Sequence, residues 1–303
     1  MPVRAERVVA VVGPTAVGKS DLGVELALRL GGEVVNADSM QLYRGMDVGT
    51  AKLTVAERRG VPHHLLDRWD PSRTASVAEY QSLARERVET LLAAGRLPVL
   101  VGGSGLYVRA VLDEMELPGT DPLVRARLEA ELAEVGPHRL HQRLTQVAPA
   151  AAQAILPGNG RRIVRALEVT EITGRPFVAT LPEPTARYDV VQIGLDADRA
   201  VLDERIGARV ERMWAAGLVE EVTALEAAGL RAGLTASRAL GYAQVLRMLD
   251  GQLTDAEARA ETDRATRRFA RRQDSWFRRD ARVRWLAHDR PDLLDAAITL
   301  CNS

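Results

Sequence analysis

The chain has one cysteine, Cys301, among its 303 residues and no run of about 18 apolar residues. A single cysteine excludes an intrachain disulfide and any cysteine-rich zinc site. The lack of a long apolar run argues against a membrane-spanning helix. The first ten residues, "MPVRAERVVA", run straight into the first predicted strand, which leaves no room for a secretory signal. These absences predict a cytoplasmic protein.

Lysine is scarce as well. Of the 41 basic residues only Lys19 and Lys52 are lysines, so 39 are arginines, and 41 acidic residues balance them. Zero net charge argues against a generally basic nucleic-acid binder, although it leaves room for a local basic face. A GC-rich genome explains most of the arginine excess. A lysine kept within a motif nevertheless indicates that a compact ammonium group is needed there.

The remaining composition, 46% hydrophobic and 27% charged, is typical of a globular protein. Apolar runs alternate with helical patterns in the first third of the chain: the predicted strands are 7–12, 31–38 and 97–103, and the predicted helices are 19–30 and 77–95. Such alternation predicts a parallel sheet covered by helices. The pattern is then helical from 117 to 184, and an apolar run at 188–196 restores the sheet. We predict an α/β core of residues 1–116 and 185–303 interrupted by an all-helical insertion, residues 117–184.

The segment "GPTAVGKS" lies between the first predicted strand and helix and matches G-x-x-x-x-G-K-[S/T]. Successive backbone N–H groups and the helix N-terminus would form an anion site. Lys19 would bridge the terminal phosphates of a ligand, and Ser20 would hold Mg²⁺ against them. The predicted phosphate-binding residues are Gly13, Pro14, Thr15, Ala16, Val17, Gly18, Lys19 and Ser20.

An acidic residue, Asp38, follows the second predicted strand. It begins "DSMQLYRGMDVGTAK", a polar segment at the strand end where open α/β sheets build their sites. A metal ligand, a general base and a helix cap are all open roles for Asp38. The strand at 97–101 instead runs into "GGSGLY", without the acidic residue expected of a nucleotide-hydrolysing enzyme.

Two adjacent histidines, His63 and His64, could suggest a metal pair. Adjacent side chains point apart in a strand or helix, and no third ligand lies near them in sequence. We expect a structural turn at this position.

Eight ordered motifs, spread over nearly the whole chain, resemble those of the tRNA dimethylallyltransferases. They are "GPTAVGKS", "DSMQLYRGMDVGTAK", "GVPHHLLD", "GGSGLY", "RRIVRALEV", "RIGARVERM", "GYAQ" and "RRFARRQDSWFRR". The resemblance implies a P-loop, nucleotide-kinase-like fold. It also implies Mg²⁺-dependent transfer of a dimethylallyl group from dimethylallyl diphosphate to N6 of the adenosine just 3′ of certain tRNA anticodons. The loop would then hold a diphosphate leaving group.

The resemblance also assigns catalytic roles. It places the general base on Asp38, which would take the proton that N6 loses, and a hydroxyl near donor and base at Ser104. Lys19 and a second cation, Arg209 with Arg205 next, would stabilise the departing diphosphate. The residues expected to line the nucleobase pocket are Ser39, Met40 and Gln41.

Contacts to an anticodon loop follow from the same resemblance, because the target base must be extruded from its stack. Besides Asp38 and Ser104, the expected tRNA contacts are Arg125, Arg161, Arg162, Ile163, Val164, Arg165, Arg267, Arg268, Arg271 and Arg272. Arginines recur at spacings of three and four over 264–272, which gives one basic helix face, with Phe269, Trp276 and Phe277 nearby. An ordinary solvated helix surface is the alternative to a tRNA-binding face.

Three other functions share some of these features. An ATP-dependent small-molecule kinase would use the same loop, and a prenyltransferase acting on free adenine nucleotides would turn over without tRNA. A tRNA-binding protein with a nucleotide switch would form no covalent product. The expected partners are tRNA and dimethylallyl diphosphate, without a membrane, and the chain is expected to be a monomer.

Overall fold

A computed structural model describes residues 6–303; the expectation of no secretory signal rests in part on residues 1–5, which lie outside the described residues. Six strands form one sheet: β1 (Arg7–Val12), β2 (Gly32–Asn36), β3 (His63–His64), β4 (Leu97–Val101), β5 (Asp189–Asp196) and β6 (Val283–Ala287). Their order is β3-β2-β4-β1-β5-β6, and every pairing is parallel. The predicted α/β class with a parallel sheet is confirmed.

The prediction of a turn at the two histidines is wrong. His63 and His64 form β3, which pairs with Val34 and Val35 of β2 at the edge of the sheet. The two rings point to different partners: His64 Nε2 lies 2.6 Å from a Glu33 carboxylate oxygen, and His63 Nδ1 lies 2.9 Å from the carbonyl oxygen of Val61. Backbone pairing with β2, rather than a turn, accounts for the adjacent histidines.

Helices cover both faces of the sheet. The helices are α1 (Lys19–Leu30), α2 (Val77–Ala93), α3 (Gly105–Leu112), α4 (Pro122–Val147), α5 (Pro149–Ala154), α6 (Gly160–Thr173), α7 (Arg199–Ala215), α8 (Leu218–Ala227), α9 (Tyr242–Leu249), α10 (Asp255–Phe277) and α11 (Leu293–Asn302). None of these, within residues 6–303, is both long and apolar enough to cross a membrane.

The central strand β1 is buried along its whole length because both of its faces are covered. Val8, Ala10 and Val12 pack in one hydrophobic cluster, whereas Val9 and Val11 pack in another on the opposite face. This alternation has the period of two that a strand requires. The apolar run that predicted β1 therefore reflects burial on two sides.

Residues Met115–Thr185 form a compact unit separate from the rest of the described chain. Its helices α4, α5 and α6 enclose their own core, which includes Leu128, Leu144 and Leu167. Helix α4 bends at Gly136, where φ is 76°, because Pro137 follows and cannot continue the helical hydrogen bonding. These bounds lie within two residues of the 117–184 insertion predicted from the sequence.

The carboxyl ends of β2, β4 and β1 lie side by side in the sheet and lead into three loops. Gly102 N donates to Val11 O at 3.2 Å, and Ala37 N donates to Val101 O at 2.8 Å, so the loops begin in contact with each other. A Cβ at Gly102 would lie 2.3 Å from the carbonyl oxygen of Ala37, which explains the glycine there. The sheet thus brings the phosphate loop, Asp38 and the "GGSGLY" loop to one edge.

Candidate active site

The loop between β1 and α1 has the backbone conformation that a phosphate loop requires. The φ angle is 135° at Gly13 and 105° at Gly18, both in the region that favours glycine. A Cβ at Gly13 would lie 2.8 Å from the carbonyl oxygen of Leu195, so only glycine fits there. The loop ends at the N-terminus of α1, where unpaired N–H groups favour an anion.

Lys19 is the first residue of α1, and its Nζ donates to Pro14 O at 2.7 Å. Desolvation of the ammonium group lowers the pKa of Lys19 to about 7, with Asp38 opposing the shift and Arg209 adding to it. No carboxylate in residues 6–303 forms a salt bridge with this ammonium. Asp38 acts on Lys19 without forming a salt bridge, and a bound diphosphate would supply a direct counter-charge.

Two arginines of α7 approach the phosphate loop in different ways. Arg205 is exposed, and its Nε donates to Ala16 O at 2.8 Å. Arg209 donates to Thr50 O at 3.1 Å, and desolvation lowers the pKa of its guanidinium against the pull of Asp38. Arg209 thus lies among the charged groups of the site, whereas Arg205 holds the backbone of the loop.

Asp38 is held by Asn36, the last residue of β2. The Asn36 side chain accepts from Asp38 N at 2.9 Å and donates to Asp38 O at 3.0 Å. Tyr80 OH donates to Asn36 O at 2.9 Å, so this arrangement is anchored in the core. Asp38 Oδ1 accepts from Met40 N at 2.9 Å, while Oδ2 accepts no hydrogen bond from residues 6–303. The helix-cap role is wrong because no helix begins between Asp38 and Val77.

Two cavities open at this edge of the sheet. The smaller, about 70 Å³, is lined by the phosphate loop and β2–β4 residues, among them Thr15, Lys19, Ser20, Asn36, Asp38, Gln41, Gly103 and Arg209. The larger, about 280 Å³, is lined among others by Asp38, Ser39, Met40, Met213, Arg238, Tyr242, Phe269 and Arg272. Both cavities share Thr15, Asp38, Thr50 and Arg209. Asp38 and Arg209 therefore lie where the two cavities adjoin.

A family model described as IPP transferase matches residues 41–280, most of the chain. This chain belongs to the IPP transferase family. A tRNA dimethylallyltransferase from Thermobifida fusca is 70% identical over 298 residues, covering 97% of this chain and 93% of the relative. One from Streptomyces griseus is 68% identical over 302 residues, covering 99% and 97% of the two chains. As an IPP transferase, the chain is an enzyme of the transferase class.

Solved structures show the same fold as this IPP transferase. The full-length tRNA isopentenylpyrophosphate transferase from Bacillus halodurans matches with a TM-score of 0.72 at 43% identity, covering 98% of this chain and 95% of that one. A eukaryotic dimethylallyltransferase matches with a TM-score of 0.79, covering 97% and 77%. Its 23% identity makes it a likeness of fold alone. The P-loop, nucleotide-kinase-like architecture implied by the motifs is thus shared with these proteins.

Ser104 lies next to Ser39, the first of the residues predicted to line a nucleobase pocket. Its Oγ accepts from Ser39 N at 3.3 Å and lies 3.4 Å from Ser39 Oγ. Gly102 and Gly103 of the same loop line the smaller cavity. In the structure Ser104 contacts Ser39, and its predicted role beside donor and base stays a prediction.

Two residues of the site were not among those predicted from the sequence. Gln273 of α10 is buried; its Oε1 accepts from Thr15 N at 2.9 Å and its Nε2 donates to Gly103 O at 3.0 Å. The buried Ala270, Gln273 and Phe277 follow the helical spacing, and this period could have revealed an inward-facing amide. Arg238, which lines the larger cavity, lies just before the "GYAQ" motif.

The arginines predicted on α10 are not equivalent. Arg268 and Arg271 are exposed, and the Arg272 guanidinium carbon lies 5.7 Å from the centre of the Phe269 ring. Arg267 instead forms a salt bridge with Asp263, at 2.9 Å. Phe277 is buried in the hydrophobic core and Trp276 is partly buried against it, whereas Phe269 lies beside Arg272.

In the helical unit, two predicted tRNA contacts are already paired. Arg125 and Arg165 both form salt bridges with Glu168, which is fully buried, and the Arg165–Glu168 distance is 2.8 Å. Arg165 also donates to the carbonyl oxygen of Pro118 at 2.6 Å. These arginines therefore contribute to the fold of the unit in addition to any role in binding.

The other members of the 161–165 segment divide by exposure. Ile163 and Val164 are buried in the core of the helical unit, whereas Arg161 and Arg162 are exposed. Arg162 donates to Ala179 O at 2.6 Å. The tRNA contact predicted for this segment stays a prediction, and the side chains available for it are the exposed arginines.

Proposed function

We propose that this IPP transferase transfers a dimethylallyl group from dimethylallyl diphosphate to N6 of the adenosine 3′-adjacent to a tRNA anticodon, releasing diphosphate. Relatives named tRNA dimethylallyltransferase, about 70% identical over nearly the whole chain, support this function. The observation that carries it is the position of Asp38, which lines both cavities. A donor in the smaller cavity and a nucleobase in the larger one would meet at this carboxylate.

The smaller cavity suits the leaving group. Breaking the allylic C–O bond leaves the bonding pair and a negative charge on diphosphate. Lys19, Arg209 and the amides of the phosphate loop would stabilise that charge. The positive charges of Lys19 and Arg209 are not neutralised by a salt bridge within residues 6–303. Stabilisation of this kind lowers the barrier because it grows as the charge develops.

Asp38 would accept the proton of the acceptor. The N6 lone pair is delocalised into the adenine ring, so the amino group is a poor nucleophile until it loses a proton. As the lone pair forms the new C–N bond, Oδ2 of Asp38 would take that proton. This oxygen suits the role because Oδ1 already accepts from Met40 N.

Mg²⁺ is the cofactor we propose, with Ser20 as its protein ligand. Ser20 lines the smaller cavity and follows Lys19 at the start of α1. Mg²⁺ usually keeps several waters and binds one or two protein groups together with substrate phosphates. Within residues 6–303 no group of three or more His, Cys, Asp or Glu side chains is arranged to hold a metal ion, so most ligands would come from diphosphate and water. When bound, the ion would help to neutralise the leaving group.

For tRNA, we propose that the larger cavity receives the extruded base and that exposed arginines contact the anticodon arm. The apolar surfaces of Met40 and Phe269 and the guanidinium plane of Arg272 suit a flat base. We propose a monomer as the active form. We propose the cytoplasm as its location because its acceptor is tRNA.

The test is a transfer reaction with labelled dimethylallyl diphosphate, Mg²⁺ and an unmodified tRNA that carries adenosine 3′ to the anticodon. Parallel reactions contain ATP, or AMP in place of tRNA. Label on N6 of a single adenosine after digestion to nucleosides is the expected result. ATP consumption without a labelled nucleoside would instead identify a kinase, and label on AMP alone would identify a prenyltransferase of free nucleotides.

A further inference from the structure

The turn at residues 47–49 is held by a carboxylate from a distant helix. Glu221 of α8 accepts three successive backbone N–H groups: Oε2 accepts from Asp47 at 3.0 Å and from Val48 at 2.7 Å, and Oε1 accepts from Gly49 at 3.1 Å. Oε1 also accepts from Tyr242 OH at 2.5 Å. None of the salt bridges within residues 6–303 involves Glu221. Its charge is therefore stabilised by neutral donors, three of them backbone amides.

The same turn is tightly packed. A Cβ at Gly49 would lie 2.4 Å from the Tyr242 ring and 2.8 Å from the Leu218 side chain, so the backbone lies directly against α8 and α9. Burial and the charge of Glu221 raise the pKa of Tyr242, which keeps its hydroxyl a hydrogen-bond donor. The hydrogen bonds to Glu221 and the contacts with Tyr242 and Leu218 together hold the backbone of this turn in a single position.

The residue after the turn reaches the centre of the site. Thr50 Oγ1 donates to Met46 O at 2.6 Å, and Thr50 O accepts from Arg209 at 3.1 Å and from Gln41 Nε2 at 3.2 Å. Thr50 and Arg209 line both cavities, whereas Glu221 lines neither. A shift of the 47–49 backbone would move the carbonyl oxygen that holds the Arg209 guanidinium.

We propose that Glu221 is a positioning residue for prenyl transfer. By accepting hydrogen bonds from the amides of residues 47–49, it fixes the carbonyl oxygen of Thr50. That oxygen in turn holds the Arg209 guanidinium at the point where donor and acceptor meet. This role rests on the proposed function and deepens it. Glu221 touches neither substrate. It acts on the leaving group through the backbone and one guanidinium.

A carboxylate is needed at position 221 because both of its side-chain oxygens act as acceptors, for four hydrogen bonds in all. In Glu221→Gln one of these positions becomes an NH₂ group, which faces backbone donors and cannot accept from them. We expect the turn to shift and kcat to fall by about tenfold to a hundredfold, the range in which small misplacements act. The loss cannot exceed that of removing Arg209 itself. The KM for tRNA should change by less than about threefold, because the arginines of α10 are untouched.

Glu220→Gln is the matched control. Glu220 neighbours Glu221 on α8 and undergoes the same change of charge, but it is exposed and accepts no hydrogen bond from the described residues. Both variants are assayed below their melting temperatures, so loss of folded protein does not enter the rates. Glu220→Gln should keep the wild-type kcat. An equal loss in both variants would overturn the positioning role.

A double-mutant cycle separates positioning from general stability. In an Arg209→Ala background, Glu221→Gln should lower kcat by less than about threefold further, because the group it positions is gone. A loss as large as in the wild-type background would overturn the proposal. Tyr242→Phe removes one of the four hydrogen bonds, and we expect it to cost less than Glu221→Gln.

Binding of inorganic diphosphate with Mg²⁺, followed by calorimetry, separates this proposal from the proposed function. Weaker diphosphate binding in Glu221→Gln but not in Glu220→Gln supports the positioning role even if wild-type protein prenylates no tRNA; in that case the proposed function alone fails. If wild-type protein prenylates tRNA and Glu221→Gln matches it in both kcat and diphosphate affinity, the positioning role is wrong and the function stands.

Discussion

Two pairs of predicted binding cations are partnered in opposite ways: Lys19 and Arg209 of the α/β unit, and Arg125 and Arg165 of the helical unit. Lys19 and Arg209 donate to backbone carbonyl oxygens, and no salt bridge within residues 6–303 neutralises them. In the helical unit, Arg125 and Arg165 converge on the buried carboxylate of Glu168. Both sets were predicted as binding residues from the motifs, yet their surroundings differ.

The difference indicates which cations are available to a ligand. Desolvation lowers the pKa of both Lys19 and Arg209, so the fold holds them at a cost in free energy that an anion would relieve. Arg125 and Arg165 already have a counter-charge, and breaking such a buried pair destabilises the fold. Substitutions in the two units should therefore affect different measurements.

Asp38→Asn should have the largest effect. The amide keeps the shape of the side chain but cannot take the proton from N6, so kcat should fall by about 10² to 10⁴. Calorimetry should show donor and tRNA affinities within about threefold of wild type. Turnover close to wild type, with both substrates still binding, would remove Asp38 from the role of general base.

Arg209→Ala should lower kcat by about 10² to 10³, since it removes one preorganised charge facing the leaving group. The melting temperature should not fall, because no carboxylate in the described chain loses its partner. Steady-state kinetics and thermal unfolding of the same preparation check both parts. A large fall in melting temperature with little change in kcat would assign Arg209 a structural role instead.

Arg125→Ala should show the opposite pattern. It leaves the fully buried Glu168 with one of its two arginines, and we expect a loss of about 1–3 kcal/mol in the stability of the helical unit. Hydrogen exchange of α6 amides measures this loss, while kcat at saturating tRNA should stay within about threefold. Arg127→Ala, which breaks an exposed pair with Glu171, is the control and should cost less than about 1 kcal/mol. If both substitutions lower the stability of the helical unit equally, the buried pair with Glu168 contributes no more than the exposed pair with Glu171.

The pH dependence of diphosphate affinity should show the smallest effect. Free Lys19 has a pKa of about 7, and a bound anion raises it, so binding takes up a proton above that pH. Affinity should therefore fall as pH rises above about 7, by at most about tenfold per unit. Calorimetry in buffers of different ionisation enthalpy reports the proton directly. Lys19→Arg stays charged and should lose this proton uptake; if it keeps the uptake, another group is responsible.

Much of the fold was predictable because its signals are local. The apolar runs that predicted β1, β2, β4 and β5 are short segments buried on the sheet, and a segment of that kind carries its own pattern. The phosphate loop was predictable for the same reason, since its glycines meet φ requirements within eight residues. The two-residue β3 was missed, because only the neighbouring β2 makes it a strand.

The site was predictable only in part. Asp38 and Lys19 have chemical roles that their motifs indicate, whereas Gln273 is a single amide among the arginines of its motif. Its two partners lie 258 and 170 residues away. The segment 161–165 was predicted to be one contact surface. Because a helix turns about 100° per residue, Ile163 and Val164 instead enter the core while Arg161 stays exposed. A continuous stretch of sequence does not say which of its side chains face a ligand.

The sequence by itself determined the α/β class, the phosphate loop and the family, because each of these depends on the order and spacing of residues along short segments. Only the tertiary structure decided that Arg209 lies unneutralised beside Lys19, that Arg125 is paired with Glu168, and that Glu221 holds the turn next to Thr50. Those relations join residues between 43 and 190 positions apart. Their charges and hydrogen bonds take effect only when the sheet and helices bring them within a few ångströms.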